Sequence, residues 1–142
     1  MREIRYRGRT KLGEMWVMGY FVPHDKETYI FTENQIHRGI GLDGWLNCCQ
    51  MYEVDPLTVG QFTGKLDKYG KKIFEGDIVK TKYGRLCVVC WHSSIGLACW
   101  DLDPVKTREN IRNTSAPNDY DLWVSNNLEV VGNIHDYPEM LK

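Results

Sequence analysis

Apolar and polar residues alternate with a period of two along most of this chain, and that constrains the fold more than any other feature. Successive side chains of a β-strand point to opposite faces, so such a period turns one face toward a core and the other toward solvent. Ile4 and Tyr6 alternate with Arg5, Arg7, Arg9 and Lys11. Residues 15–22 are aromatic and β-branched, with Trp16, Val17, Tyr20, Phe21 and Val22, and read as a second strand. Pro23-His24-Asp25-Lys26 supplies turn chemistry, and Tyr29-Ile30-Phe31 reads as the return strand. Further strands are expected over 46–54, 58–62, 73–74, 78–79, 86–91, 95–100, 122–124 and 128–134, and Pro138 opens a single helical turn. About ten short strands, divided by turn signals and without a strong amphipathic helix, predict an all-β fold, a small barrel or sandwich. No internal repeat and no low-complexity segment stand out. Residues 103–120 read as a long polar loop.

The chain's 142 residues suit one domain, with lobes at 1–56 and 57–142, and a core that holds without disulfide or metal staples. With 42% hydrophobic and 26% charged residues, the composition is that of a folded soluble chain and not a disordered one. No apolar run approaches the roughly 20 residues that span a bilayer, and the charged start lacks the apolar segment of a secretory signal. The expectation is a cytoplasmic protein with no membrane partner. The net charge of −1 gives no bulk attraction to nucleic acid, yet it is unevenly spread. Residues 1–12 hold five cations and one anion, residues 64–85 hold seven cations and three anions, and the remainder is strongly acidic.

Motifs with catalytic or cofactor chemistry fail on inspection. The five cysteines without a signal peptide read as reduced thiols. Cys87 and Cys90 have the spacing of a zinc knuckle, but positions three apart on a strand face opposite ways, and a second ligand pair is lacking. Gly39-Ile40-Gly41-Leu42-Asp43-Gly44 matches the letters of a dinucleotide fingerprint without the strand and helix its mechanism needs. The stretch from Gly64 to Lys72 lacks the hydroxyl that a phosphate loop offers to magnesium. The acid pairs Asp101/Asp103 and Asp119/Asp121 read as solvated. Neither a cofactor nor a metal is expected, and the chain is expected not to be an enzyme.

Two surfaces remain as binding candidates. Arg5, Arg7, Arg9 and Lys11 form a basic row, with Tyr6 and Trp16 as stacking surfaces for nucleic acid. The plainer account is an edge strand blunted by charge. The second surface is a polar hairpin, Thr63-Gly64-Lys65-Leu66-Asp67-Lys68-Tyr69-Gly70-Lys71-Lys72, with glycines for its turn.

The hairpin belongs to a longer pattern. Pro56-Leu57-Thr58-Val59-Gly60-Gln61-Phe62-Thr63-Gly64, followed by Asp67-Lys68-Tyr69-Gly70-Lys71-Lys72-Ile73-Phe74-Glu75-Gly76-Asp77-Ile78-Val79-Lys80, resembles the signature of the YopX family, small proteins of prophages and phages of low-GC Gram-positive bacteria. The opening Met1-Arg2-Glu3-Ile4-Arg5-Tyr6-Arg7 and the close from Glu129 to Leu141 are similar to that family's ends. The resemblance implies an SH3-like barrel in the C-terminal half, additional N-terminal strands, a phage origin and work in the host cytoplasm. It implies no activity. From the residues themselves, Thr63, Gly64, Gly70, Glu75, Gly76 and Asp77 read as turn architecture: Gly76 takes positive φ and Asp77 accepts from backbone N–H groups.

The functional expectation is a non-enzymatic module that contacts a host or phage protein through Asp67, Lys68, Tyr69, Lys71 and Lys72. The alternative is a nucleic-acid-binding module that uses Arg5, Arg7, Arg9 and Lys11 with the hairpin lysines. Open strand edges lean toward association of copies.

Overall fold

The computed structural model describes residues 3–13, 15–24, 27–33, 49–94, 97–105 and 127–141. Among the described residues ten strands form: β1 (Tyr6–Arg9), β2 (Trp16–His24), β3 (Glu27–Glu33), β4 (Cys49–Glu53), β5 (Gly60–Leu66), β6 (Lys72–Phe74), β7 (Asp77–Lys80), β8 (Leu86–Ser94), β9 (Leu97–Pro104) and β10 (Glu129–Asn133). The only helical turns among the described residues are short 3₁₀ segments, Pro56–Thr58 and Pro138–Leu141. The fold is all-β, as the alternation predicts, and the turn after Pro138 forms. The glycine-rich segment 39–44, Asp119/Asp121, most of the 103–120 loop and the strand over 122–124 lie outside the described residues.

The chain divides into two units, Met1–Phe62 and Thr63–Lys142, and the boundary falls inside β5. In the first unit the strand order is β4-β3-β2-β1-β5, all antiparallel. The end of β4 also returns to the end of β1. Thr10 and Val54 form a bridge, the Lys11 N–H donates to Glu53 O (3.0 Å), and the Asp55 N–H donates to Arg9 O (2.9 Å). Ile30, Val54 and Val17 form the core, with Tyr6, Tyr52 and Val59 packed against them. Two glycines make this core close enough. A Cβ on Gly19 would lie 2.0 Å from Phe31 O, and one on Gly8 would lie 2.9 Å from Ile30 Cδ1.

β1 is therefore an interior strand, between β2 and β5, which corrects the edge-strand account of its arginines. The run Pro56-Leu57-Thr58 is not the start of a strand. Asp55 caps a 3₁₀ turn by accepting from the Leu57 N–H (3.0 Å), and the buried Thr58 hydroxyl accepts from the Arg9 N–H (2.9 Å). β5 starts only after it.

The second unit contains the β5–β6 hairpin and a four-stranded antiparallel sheet in the order β10-β7-β8-β9. No closed barrel forms among the described residues. Ile73, Val79, Cys87, Val89, Trp100, Leu102 and Leu128 make its core. The Glu75-Gly76-Asp77 turn behaves as its residue types dictate. Gly76 has φ +79°, its N–H donates to Val89 O (2.8 Å) and its carbonyl accepts from Ile134 (2.9 Å). Asp77 is fully buried and accepts from the Phe74 N–H (2.8 Å). Thr63, also buried, donates its hydroxyl to Ile73 O (2.9 Å) beside Gly64 at φ +87°. At the chain's close, Asn133 accepts from the backbone N–H groups of His135 and Asp136 (both 2.9 Å). Tyr137 lies so close to Gly132 that a Cβ there would sit 2.7 Å from its ring.

Candidate functional site

Asp67 organises the tip of the β5–β6 hairpin. It is 7% exposed, so it is not available as a contact residue. One carboxylate oxygen accepts from the N–H groups of Tyr69 (2.8 Å) and Lys71 (2.9 Å), and the other accepts from Val130 (3.1 Å). Burial pushes the carboxyl's pKa up. The backbone donors of Lys71, Val130 and Tyr69 and the Lys71 charge outweigh burial and hold it below the ordinary value. Above this lock the Tyr69 ring is 73% exposed, with the Lys68 ammonium 4.8 Å from its centre. Lys68 also pairs with Glu129 on β10 (2.6 Å), and that bond, then the one to Tyr69, raises its pKa. Lys71 is exposed and Lys72 half-buried, so the tip presents Lys68, Tyr69 and Lys71.

The same turn occurs a second time. Asp67-Lys68-Tyr69-Gly70-Lys71 is matched by Thr81-Lys82-Tyr83-Gly84-Arg85 between β7 and β8. Gly70 and Gly84 have φ of +84° and +80°. Gly70 donates to Asp67 O (3.0 Å) as Gly84 does to Thr81 O (2.9 Å). Asp67 donates its N–H to Lys71 O (2.7 Å) as Thr81 does to Arg85 O (2.9 Å). The Lys71 N–H donates to the Asp67 carboxylate, and the Arg85 N–H donates to the Thr81 hydroxyl (3.2 Å). Lys82 lies over Tyr83 (5.0 Å) as Lys68 lies over Tyr69, and Tyr83 is 45% exposed. Each is a three-residue hairpin loop closed by a left-handed glycine.

Both tips leave the end of the unit where β10 begins. Lys68 donates its N–H to Leu128 O (2.8 Å), Val130 donates to Asp67, and Glu129 stands opposite Lys80 in the β10–β7 register. Lys68, Lys71, Lys80 and Lys82 of the basic segment 64–85 thus lie toward one end of the unit, while its Glu75-Gly76-Asp77 turn lies at the other, beside Asn133 and Ile134. Lys82 and Tyr83 carry no motif of their own. The short five-residue repeat, which corrects the expectation of no internal repeat, is the sequence signal that finds them.

The arginine row lies in the first unit. Its alternation holds: Gly8 faces the core while Arg7 and Arg9 stand opposite Met18 and Trp16 of β2 on the other face. The Arg5 guanidinium lies 4.2 Å from the centre of the Tyr20 ring, and that of Arg7 lies 4.8 Å from the Trp16 ring. Arg9 Nε donates to Gly13 O (3.0 Å). Lys11 leaves the row and pairs with Glu53, which raises its pKa through the hydrogen bond and then the charge. That pair lines an open cleft of about 710 Å³ with Leu12, Met15 and Met51. Cys87 is buried, while Cys90 faces the other way and donates to Asp101 O (3.6 Å). Burial, then the charges of Asp103 and Asp101, push the Cys90 thiol's pKa up. The cysteine spacing therefore builds no shared site. Asp101 spends one oxygen on the Leu102 N–H (2.8 Å).

A chain of short antiparallel strands, with two hydrogen-bonded basic turns at one end of its second unit, is a small all-β protein by its architecture. The chain belongs to the YopX family, whose model, described as YopX protein, matches residues 6–142. No curated protein matches it. Among solved structures it is similar to protein EF1440 from Enterococcus faecalis, with 19% identity, a TM-score of 0.47 and full coverage of both chains.

Proposed function

We propose that this chain is a non-enzymatic binding module, made from a prophage and working in the cytoplasm of its host, that holds an acidic surface of a host or phage protein through its two Lys-Tyr-Gly turns. The second unit is read as a partly open SH3-like scaffold for those turns. The observation that carries the reading is the repeated turn itself: the same backbone lock, the same Lys-on-Tyr pair and a second cation, twice, at one end of one unit. A turn fixed before binding loses little conformational entropy when it docks, and tyrosine supplies contact area at low rotamer cost. Lys68, Lys71, Lys82 and Arg85 set the sign of the partner's surface.

The test is capture of the tagged chain's partner from host lysate, with and without nuclease, beside Tyr69→Ser and Tyr83→Ser variants. A protein that survives nuclease and is lost with either variant supports the reading. Capture that disappears with nuclease, or that neither variant changes, overturns it.

A further inference from the structure

Glu129 sits between the two turns and belongs to neither. Its strand, β10, meets the first turn along one edge: Leu128 O accepts from the Lys68 N–H (2.8 Å), and the Val130 N–H donates to Asp67 (3.1 Å). The other edge pairs with β7, where Glu129 stands directly opposite Lys80, the last residue before the second turn. Directly opposed residues of an antiparallel pair share one face of the sheet. Glu129 is thus flanked by cations, with Lys68 at 2.6 Å on one side and Lys80 on the other. The Lys68 and Glu129 side chains stay 39% and 33% exposed, and an ion pair so exposed contributes little to stability. Its effect falls on what a partner meets: cations of the first turn, a carboxylate, then cations of the second.

We propose that Glu129 makes the two turns selective for a protein patch of mixed charge, with carboxylates toward the turns and a cation or hydrogen-bond donor toward Glu129, and closes them to uniform polyanions such as nucleic acid. The proposal rests on the reading of the two turns as one contact surface, and its ground is charge complementarity. A nucleic-acid strand carries a phosphate about every 3.4 Å, so it cannot pass from one turn to the other without bringing negative charge to Glu129. A protein patch can place a lysine, an arginine or an amide there, because its charges follow no fixed repeat. Lys68 sharpens the discrimination. Its ammonium is already neutralised by Glu129 and laid near the Tyr69 ring, so a phosphate would have to displace Glu129 to use it. The exposed Lys71 and Lys82 carry the attraction for the partner's carboxylates. Like charges set against a wrong partner are a common source of interface specificity.

The test is fluorescence anisotropy at low salt with three labelled probes: oligo-dT, poly-glutamate, and a peptide in which two glutamate blocks flank a lysine block. Wild type should prefer the mixed peptide to both uniform polyanions. Glu129→Gln removes the carboxylate and releases Lys68, so oligo-dT and poly-glutamate should each bind about five-fold more tightly, and the preference for the mixed peptide should disappear. One cation freed for phosphate should also steepen the log–log salt dependence of oligo-dT binding by about 0.7. Glu129→Gln/Lys68→Met should lose most of that gain, which routes it through Lys68. Glu75→Gln makes the same charge change at the other end of the unit and should match wild type. Circular dichroism of each variant guards against misfolding. A wild type without preference for the mixed peptide, a Glu129→Gln variant with unchanged affinity for both polyanions, or a gain that Glu75→Gln equals overturns the proposal. If lysate capture needs both Tyr69 and Tyr83 while any of these results holds, this proposal falls and the turn reading stands. If capture ignores both tyrosines, the turn reading falls and takes this proposal with it.

Discussion

Replacing Asp67 by Ala removes one carboxylate that serves three backbone donors, those of Tyr69, Lys71 and Val130. A hydrogen bond to a charged acceptor contributes about 1.5–3 kcal/mol net. The Tyr69 and Lys71 donors sit in a surface turn and regain water when the carboxylate goes, so they lose little. The Val130 donor joins the hairpin to β10 and loses its partner inside the structure, so the cost should be about 2–4 kcal/mol. That is a large share of the roughly 5–15 kcal/mol that holds a typical domain. In a domain of this size it should lower the melting temperature by on the order of 10 °C or more. Asp67→Asn keeps one acceptor oxygen and should recover part of the loss. Thermal unfolding followed by circular dichroism reads all three proteins. A melting temperature for Asp67→Ala within about 2 °C of wild type would refute the idea that this carboxylate holds the turn to β10.

Four further outcomes are expected. The folded pKa of Asp67 is depressed, so its stabilisation is complete above the unfolded carboxyl value of about 3.9 and is lost as pH falls through the folded value. The stability gap between wild type and Asp67→Asn, measured by urea titration, should accordingly be constant above about pH 5 and close in stronger acid; a gap that widens below about pH 4 contradicts this. Gly76→Ala forces a side chain to φ +79° where space is otherwise adequate, and should cost about 1–2 kcal/mol by chemical denaturation. Gly19→Ala puts a Cβ 2.0 Å from the Phe31 carbonyl, and should either prevent soluble expression or lower the melting temperature more than Gly76→Ala does. Arg5→Ser/Arg7→Ser/Arg9→Ser loses two ring contacts, each worth about 0.5–1 kcal/mol at exposed sites, and should cost about 1–2 kcal/mol; an unchanged midpoint would show that the rings do not hold the guanidinium groups.

The strands were legible because the period of two survives wherever one face is buried. Tyr6 and Gly8 against Arg5, Arg7 and Arg9 is a clear case. The same period cannot say which strands are neighbours. β1 reads as a charged edge from its own letters, and its interior place comes from long-range pairing with β5, whose partner residues lie far along the chain. The strand expected over 58–62 starts two residues late, at Gly60, because Asp55 and Pro56 cap a 3₁₀ turn, a local choice that outweighs the β propensity of Thr58 and Val59. Gly76 and Asp77 were predictable because a turn asks for those residue types and few others.

The candidate site was legible only in part. Asp67 reads as a contact residue because an acid beside lysines at a turn is normally exposed. Its burial depends on Val130, which pairing brings over from the far end of the chain. The Lys82-Tyr83 turn stands in the sequence as a five-residue repeat. It gains meaning only when β10 places both turns at one end. Most of the family signature proves to be architecture. Thr58, Thr63, Gly64, Asp67, Gly76, Asp77, Gly132 and Asn133 each close a turn, cap a segment or make room for a neighbour. In the proposed reading, recognition falls to the side chains that those residues hold outward.

If the two turns act as one surface, a partner must cover both at once. Amide hydrogen exchange of the chain, alone and with its captured and purified partner, tests this most directly. Residues 68–71 and 82–85 should gain protection together, and Tyr83→Ser should remove the protection at Tyr69 as well. Protection confined to one turn, or found only elsewhere, would contradict a shared surface.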